Sequence, residues 1–128
     1  MDNEGGVVAG HMSALVFKGL GILVLLGVSL QFFLAGMTVF GAGTGWELHA
    51  TMGGVLGVPV IGLFLMSLSR GLQIYRRITG LLFAVYVLQG ALAALGGMMP
   101  ILGALHPVNG LMMALIAVTL MGRLVRQD

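Results

Sequence analysis

Two kinds of side chain in this sequence, His and Gln, could do chemistry, and they recur together with a Gly. Trp46-Glu47-Leu48-His49-Ala50-Thr51-Met52-Gly53 places a His at the mouth of a long apolar segment and a Gly four residues later. Leu105-His106-Pro107-Val108-Asn109-Gly110 repeats that arrangement. Residues i and i+4 share a helix face, so each Gly lies one turn below its His. Upstream, Gln31 precedes His49 by 18 residues and Gln89 precedes His106 by 17. An imidazole can hold a metal, and two opposed imidazoles make an axial ligand pair for a heme iron. Gly53 and Gly110 would then leave room for a flat macrocycle beside each ligand.

The elements that must position these residues are membrane helices. The chain has 128 residues, 59% hydrophobic and 8% charged, with a mean hydropathy of +1.09. Soluble domains carry about 25% charged residues, so lipid is the solvent implied. Each crossing needs about 20 apolar residues, which predicts one domain over 1–128 with spans at about 14–38, 47–69, 78–98 and 104–123. Residues Met1 to Gly10 read as an irregular or interfacial lead-in, with His11 exposed beside it. The apolar stretch after Lys18 is long enough to span, so the first helix reads as a retained span and not a cleaved signal peptide. Gly41 to Gly45 reads as a flexible turn, Trp46 as an interfacial anchor, Pro59 as a kink in span 2, and Met98-Met99-Pro100 as a break. Pro107 suits the first helical position of span 4.

Charge sets the expected orientation. Lys18, Arg70, Arg76, Arg77, Arg123 and Arg126 are the only Lys and Arg residues, and all fall at one side of the four spans. The positive-inside rule puts both termini and the middle loop in the cytoplasm of a bacterium with an inner membrane, and both His residues at the outer face. The net charge is only +2 and the basic residues lie between apolar runs, which argues against nucleic acid as a partner. There is no Cys, so disulfides, iron–sulfur clusters, thiolate zinc and covalent c-type heme are excluded.

The two halves read as copies. Spans 1 and 2 relate to spans 3 and 4 by a pseudo-two-fold axis along the membrane normal, which places span 2 diagonally opposite span 4 in an all-α four-helix bundle. His49 and His106 then face each other across the interior at similar depth. Gln31 and Gln89 are expected nearer mid-membrane, below the His pair, bonding to each other or to neighbouring backbone, or else lining a cofactor edge or a quinone headgroup. Met52, Met98, Met99, Met112 and Met113 lie in the outer half. With His they would suit Cu(I), although Met also fills apolar interiors and these positions share no obvious face. Glu47 falls about 200° around the helix from His49, off the site face. No nucleophile and base arrangement or phosphate loop is present, so no catalytic residue is expected and the chain does not read as an enzyme on its own.

Leu88-Gln89-Gly90-Ala91-Leu92 followed by Leu105-His106 at the start of the last helix resembles one four-helix half of heme A synthase. That resemblance implies His49 and His106 as axial ligands of a heme on the outer side. The family carries two halves in one chain where this sequence has one, and its glutamate before the second-helix His sits at a different spacing from Glu47. Oxidation of a heme methyl group is therefore not expected. The expectation is a small membrane cytochrome with one heme b for electron transfer, exchanging with quinone or serving a larger complex, and able to rebuild eight helices by homodimerisation. The competing expectations are a cofactor-free accessory subunit of a larger membrane complex and a chlorophyll-type pigment-binding subunit.

Overall fold

The computed structural model describes residues 3–43 and 45–126. Its elements in order are α1 (Asn3–Val39), α2 (Trp46–Val55), α3 (Gly57–Met66), a short 3₁₀ turn (Gln73–Tyr75), α4 (Arg76–Gly96) and α5 (Pro100–Val125). Among the described residues four stretches are long and apolar enough to cross a membrane: Gly10–Val39, Trp46–Met66, Gln73–Gly96 and Pro100–Val125. The protein is a membrane four-helix bundle, as composition and the apolar runs predicted.

α2 and α3 together make the second span. Pro59 has no N–H to return to the carbonyl of Val55, and the helical ladder is interrupted at Leu56, which keeps right-handed dihedrals of φ −58° and ψ −23°. α1 ends in a Schellman turn. Gly41, at φ +72°, sends its N–H to Thr38 O at 3.2 Å, and Ala42 N–H reaches back to Met37 O at 2.8 Å. α5 starts with Pro100 in its first turn, preceded by extended Met99, as the residue before a proline must be.

Three expectations are corrected. The lead-in is helical from Asn3, so α1 begins well before residue 14; Met1 and Asp2 of that lead-in, and Thr44 of the expected turn, lie outside the described residues. Glycines there lower helix propensity without breaking an already nucleated helix. Span 4 begins at Pro100 and not at 104. Consequently Pro107 lies inside α5, and Pro100 holds the N-terminal place assigned to it.

Going round the bundle, α1 packs on α2 and α3, α3 on α4, α4 on α5, and α5 back on α1. Spans 2 and 4 are therefore diagonal, as the repeat predicted. The main core cluster lies in one half of this bundle. Phe17, Val24, Val60, Leu63, Leu82 and Leu120 are fully or almost fully buried, whereas α2 has no buried residue. Phe17 stacks near Tyr75 with ring centres 5.2 Å apart, which brings Lys18 to the end of the bundle that carries Arg70, Arg76 and Arg77. Between the halves Ser67 and Thr79, both completely buried, close the α3–α4 turn: Thr79 donates to Ser67 Oγ at 2.8 Å and Ser67 donates to Phe64 O at 2.6 Å.

In lipid, helices gain nothing by hiding apolar surface from water, and small residues that permit close backbone approach add to the packing. The α4–α5 hairpin shows why. A Cβ on Gly96 would stand 2.8 Å from Gly103 Cα, a contact that no larger residue could make.

Candidate functional site

α2 and α5 each present their His near the end of the bundle remote from the arginines. The His49 and His106 ring centres are 6.0 Å apart and their planes are inclined by 64°. Both imidazoles are held in the same way. His49 Nδ1 lies 3.1 Å from the carbonyl oxygen of Gln31, and His106 Nδ1 lies 3.1 Å from that of Gln89. A carbonyl can only accept, so each of these bonds is made with the proton on Nδ1, which leaves a lone pair on Nε2. This is the anchoring that a metal-ligating His uses to fix its tautomer and orientation.

The glutamines do not sit beneath the His pair. Each Gln backbone is level with its own His, because the α1–α2 and α4–α5 turns fold back tightly and run the start of one helix alongside the last turns of the other. Their side chains then lie over the glycines. The Gln31 amide satisfies both ends with its nitrogen facing His49 O at 3.0 Å and His49 Nδ1 at 3.2 Å and its oxygen accepting from Gly53 N–H at 2.9 Å. It comes within 3.4 Å of where a Cβ on Gly53 would be. A Cβ on Gly110 would lie 3.3 Å from Gln89 Nε2 and 3.4 Å from Phe32 Cζ. Space over both glycines is thus real, and glutamine amides fill it. Gln31 and Gln89 do not bond to each other.

The second half adds a residue that spacing alone does not single out. Asn109 is 8% exposed and donates through Nδ2 to Val85 O at 2.9 Å and to Gln89 Oε1 at 2.7 Å. With its oxygen so engaged, Gln89 points Nε2 at His106 Nε2, 3.2 Å away, and donates to that lone pair. Among the described residues His49 Nε2 has no such donor. The repeat is therefore symmetric in its anchors and asymmetric in its free nitrogens. Tyr86 is a second unforeseen member; its hydroxyl donates to Gly53 O at 3.1 Å, tying α4 to α2 just above the Pro59 interruption.

Of the remaining candidates, Trp46 is largely exposed and stands edge-on to His49, with ring centres 5.6 Å apart and planes at 87°. Glu47 and His11 are exposed on their helices, away from the pair. Met98, Met99 and Met112 are exposed, whereas Met113 is buried in the core, so the methionines do not gather round the imidazoles. Among the described residues no three His, Cys, Asp or Glu side chains converge. Two imidazoles alone suit a metal that brings its other ligands with it.

The sequence pattern of a family described as "Family of unknown function (DUF6220)" matches residues 31–97, just over half of the chain. The chain belongs to this family. The DUF6220 match begins at Gln31 and takes in His49, Gly53, Tyr86 and Gln89, while His106, Asn109 and Gly110 lie beyond it. No curated protein and no solved structure matches the chain.

Proposed function

We propose that this protein is a membrane heme-binding protein that holds one b-type heme between spans 2 and 4, with His49 and His106 as axial ligands, for electron transfer. The observation that carries the reading is the spacing of two anchored imidazoles from diagonal helices. Their ring centres are 6.0 Å apart, and each Nδ1 anchor leaves Nε2 as the nitrogen that would hold the iron. The incomplete core at this end of the bundle, the Nδ1 anchors and the resemblance to a heme A synthase half add support.

In this reading heme supplies reversible one-electron chemistry at iron. The chain's own contribution is to fix both tautomers through Gln31 O and Gln89 O. Gly53 and Gly110 keep the neighbouring faces clear once the two amides swing off them. Basic residues at the opposite end favour both termini in the cytoplasm and the His pair near the outer face of a bacterial inner membrane. That location suits exchange with quinone, with subunits of a membrane complex, or with a second copy of the chain.

One contact favours a different reading. Gln89 already satisfies His106 Nε2, which suits a cofactor-free subunit whose polar layer only clamps helices. Absorption spectra separate the two. Protein purified in detergent from heme-supplied cells is expected to give a low-spin heme spectrum that shifts on reduction and is lost in both His49→Ala and His106→Ala. A colourless preparation, or a spectrum unchanged in both variants, overturns the heme reading and leaves the clamp. Magnesium-pigment bands in place of heme bands would assign the pair to a chlorophyll-type ligand.

A further inference from the structure

At the arginine end, α4 and α5 flank a groove of about 480 Å³ lined by Arg77, Ile78, Leu81, Leu115, Ile116, Thr119 and Arg123. A smaller cleft of about 240 Å³, lined by Ile74, Tyr75, Arg123 and Arg126, adjoins it through Arg123. We propose that this groove is a binding site for an anionic phospholipid, with the phosphate between Arg77 and Arg123 and an acyl chain along Leu81 and Leu115.

Charge and position argue for that occupant. Arg77 and Arg123 are both exposed and come from different helices, so together they bracket the mouth of the groove. Glu47, the only acidic residue whose side chain is described, is in the first turn of α2 at the opposite end of the bundle. The first turn of α4 adds its positive helix end, and no side chain caps it. Guanidinium groups bind phosphate by paired N–H donors. Below the arginines the floor turns apolar, and Leu81 and Leu115 are each more than half exposed on a transmembrane surface. A free anion would use the arginines and leave that apolar trough empty. A phospholipid uses both, and basic pockets between transmembrane helices are known to take acidic headgroups.

The test uses full-length protein in dodecyl maltoside. Dioleoylphosphatidylglycerol, dioleoylphosphatidylcholine and sodium phosphate are the three probes. Native mass spectrometry counts retained lipid, and circular dichroism follows thermal unfolding. Phosphatidylglycerol is expected to be retained and to raise the unfolding temperature, with phosphatidylcholine and phosphate leaving it unchanged. Arg77→Gln and Arg123→Gln are each expected to weaken phosphatidylglycerol binding about fivefold, the effect of one surface arginine. Arg70→Gln, at the same end but lining neither groove, should leave binding intact, and an Arg77→Lys/Arg123→Lys double variant should retain most of it. Equal retention of the two lipids, equal binding by an Arg77→Gln/Arg123→Gln double variant, or a Lys pair as weak as that Gln pair overturns the proposal. So does an unfolding shift produced by phosphate alone, which assigns the arginines to a free anion.

Discussion

Asn109 is the side chain that makes the two halves unequal. It stands three residues after His106, where Met52 stands three after His49. Its two amide N–H groups reach Val85 O and Gln89 Oε1, and this fixes which end of Gln89 faces His106. Interhelical hydrogen bonds in membranes contribute about 0.6 kcal/mol on average and up to about 1.7. Asn109→Leu, which releases both acceptors, is therefore expected to cost about 1 kcal/mol, read as the shift in unfolding midpoint on titration of SDS into dodecyl maltoside. Gln89→Leu should cost a similar amount, and the double variant clearly less than the sum, because the two residues share one network. Additive losses would show that the two side chains act separately. The repeated His, Gln and Gly could be read from the sequence because each occurs twice at matched spacing. Asn109 and Tyr86 occur in one half only. The signal that could have found Asn109 is its place one turn below His106, a polar side chain on the face of an apolar helix that already carries a ligand-type residue.

Helices meet here through single close contacts. Tyr86 enters the bend between α2 and α3 and donates to Gly53 O, and a Cβ on Gly57 would stand 2.6 Å from its hydroxyl oxygen. Two substitutions at this junction should differ in size. Tyr86→Phe removes one hydrogen bond and keeps the ring, an expected loss of about 0.6 kcal/mol. Gly57→Leu forces the ring out and parts spans 2 and 3, an expected loss of about 1–3 kcal/mol from overpacking. The same SDS titration ranks them, and a Tyr86→Phe loss as large as that of Gly57→Leu would show that the hydroxyl, and not the close approach, holds the junction. Such contacts explain which parts of the fold were legible. Span number, the Pro59 interruption and the Met99-Pro100 break follow from hydropathy and proline stereochemistry. The start of α1 and the depth of the glutamines do not, because they depend on continuing an existing helix and on how tightly each turn folds back.

Polarity is divided along the length of the whole molecule. The basic residues and the packed core share one end, and the His pair with its network of amides shares the other. A membrane reads the first of these features, since Lys and Arg near span ends set orientation. The absence of Cys makes that orientation measurable by single-cysteine labelling. Ala42 and Gly71 are both exposed in turns at opposite ends of the bundle. With a membrane-impermeant maleimide on intact bacterial cells stripped of outer membrane, Ala42→Cys is expected to label and Gly71→Cys to label only after lysis. Arginines added at Ala42 and Gly43 oppose the existing bias, and should bring the two labelling patterns closer together. The reverse pattern in the unmodified loops would put His49 and His106 at the cytoplasmic face, and electron exchange on the outer side would then have no route to the pair.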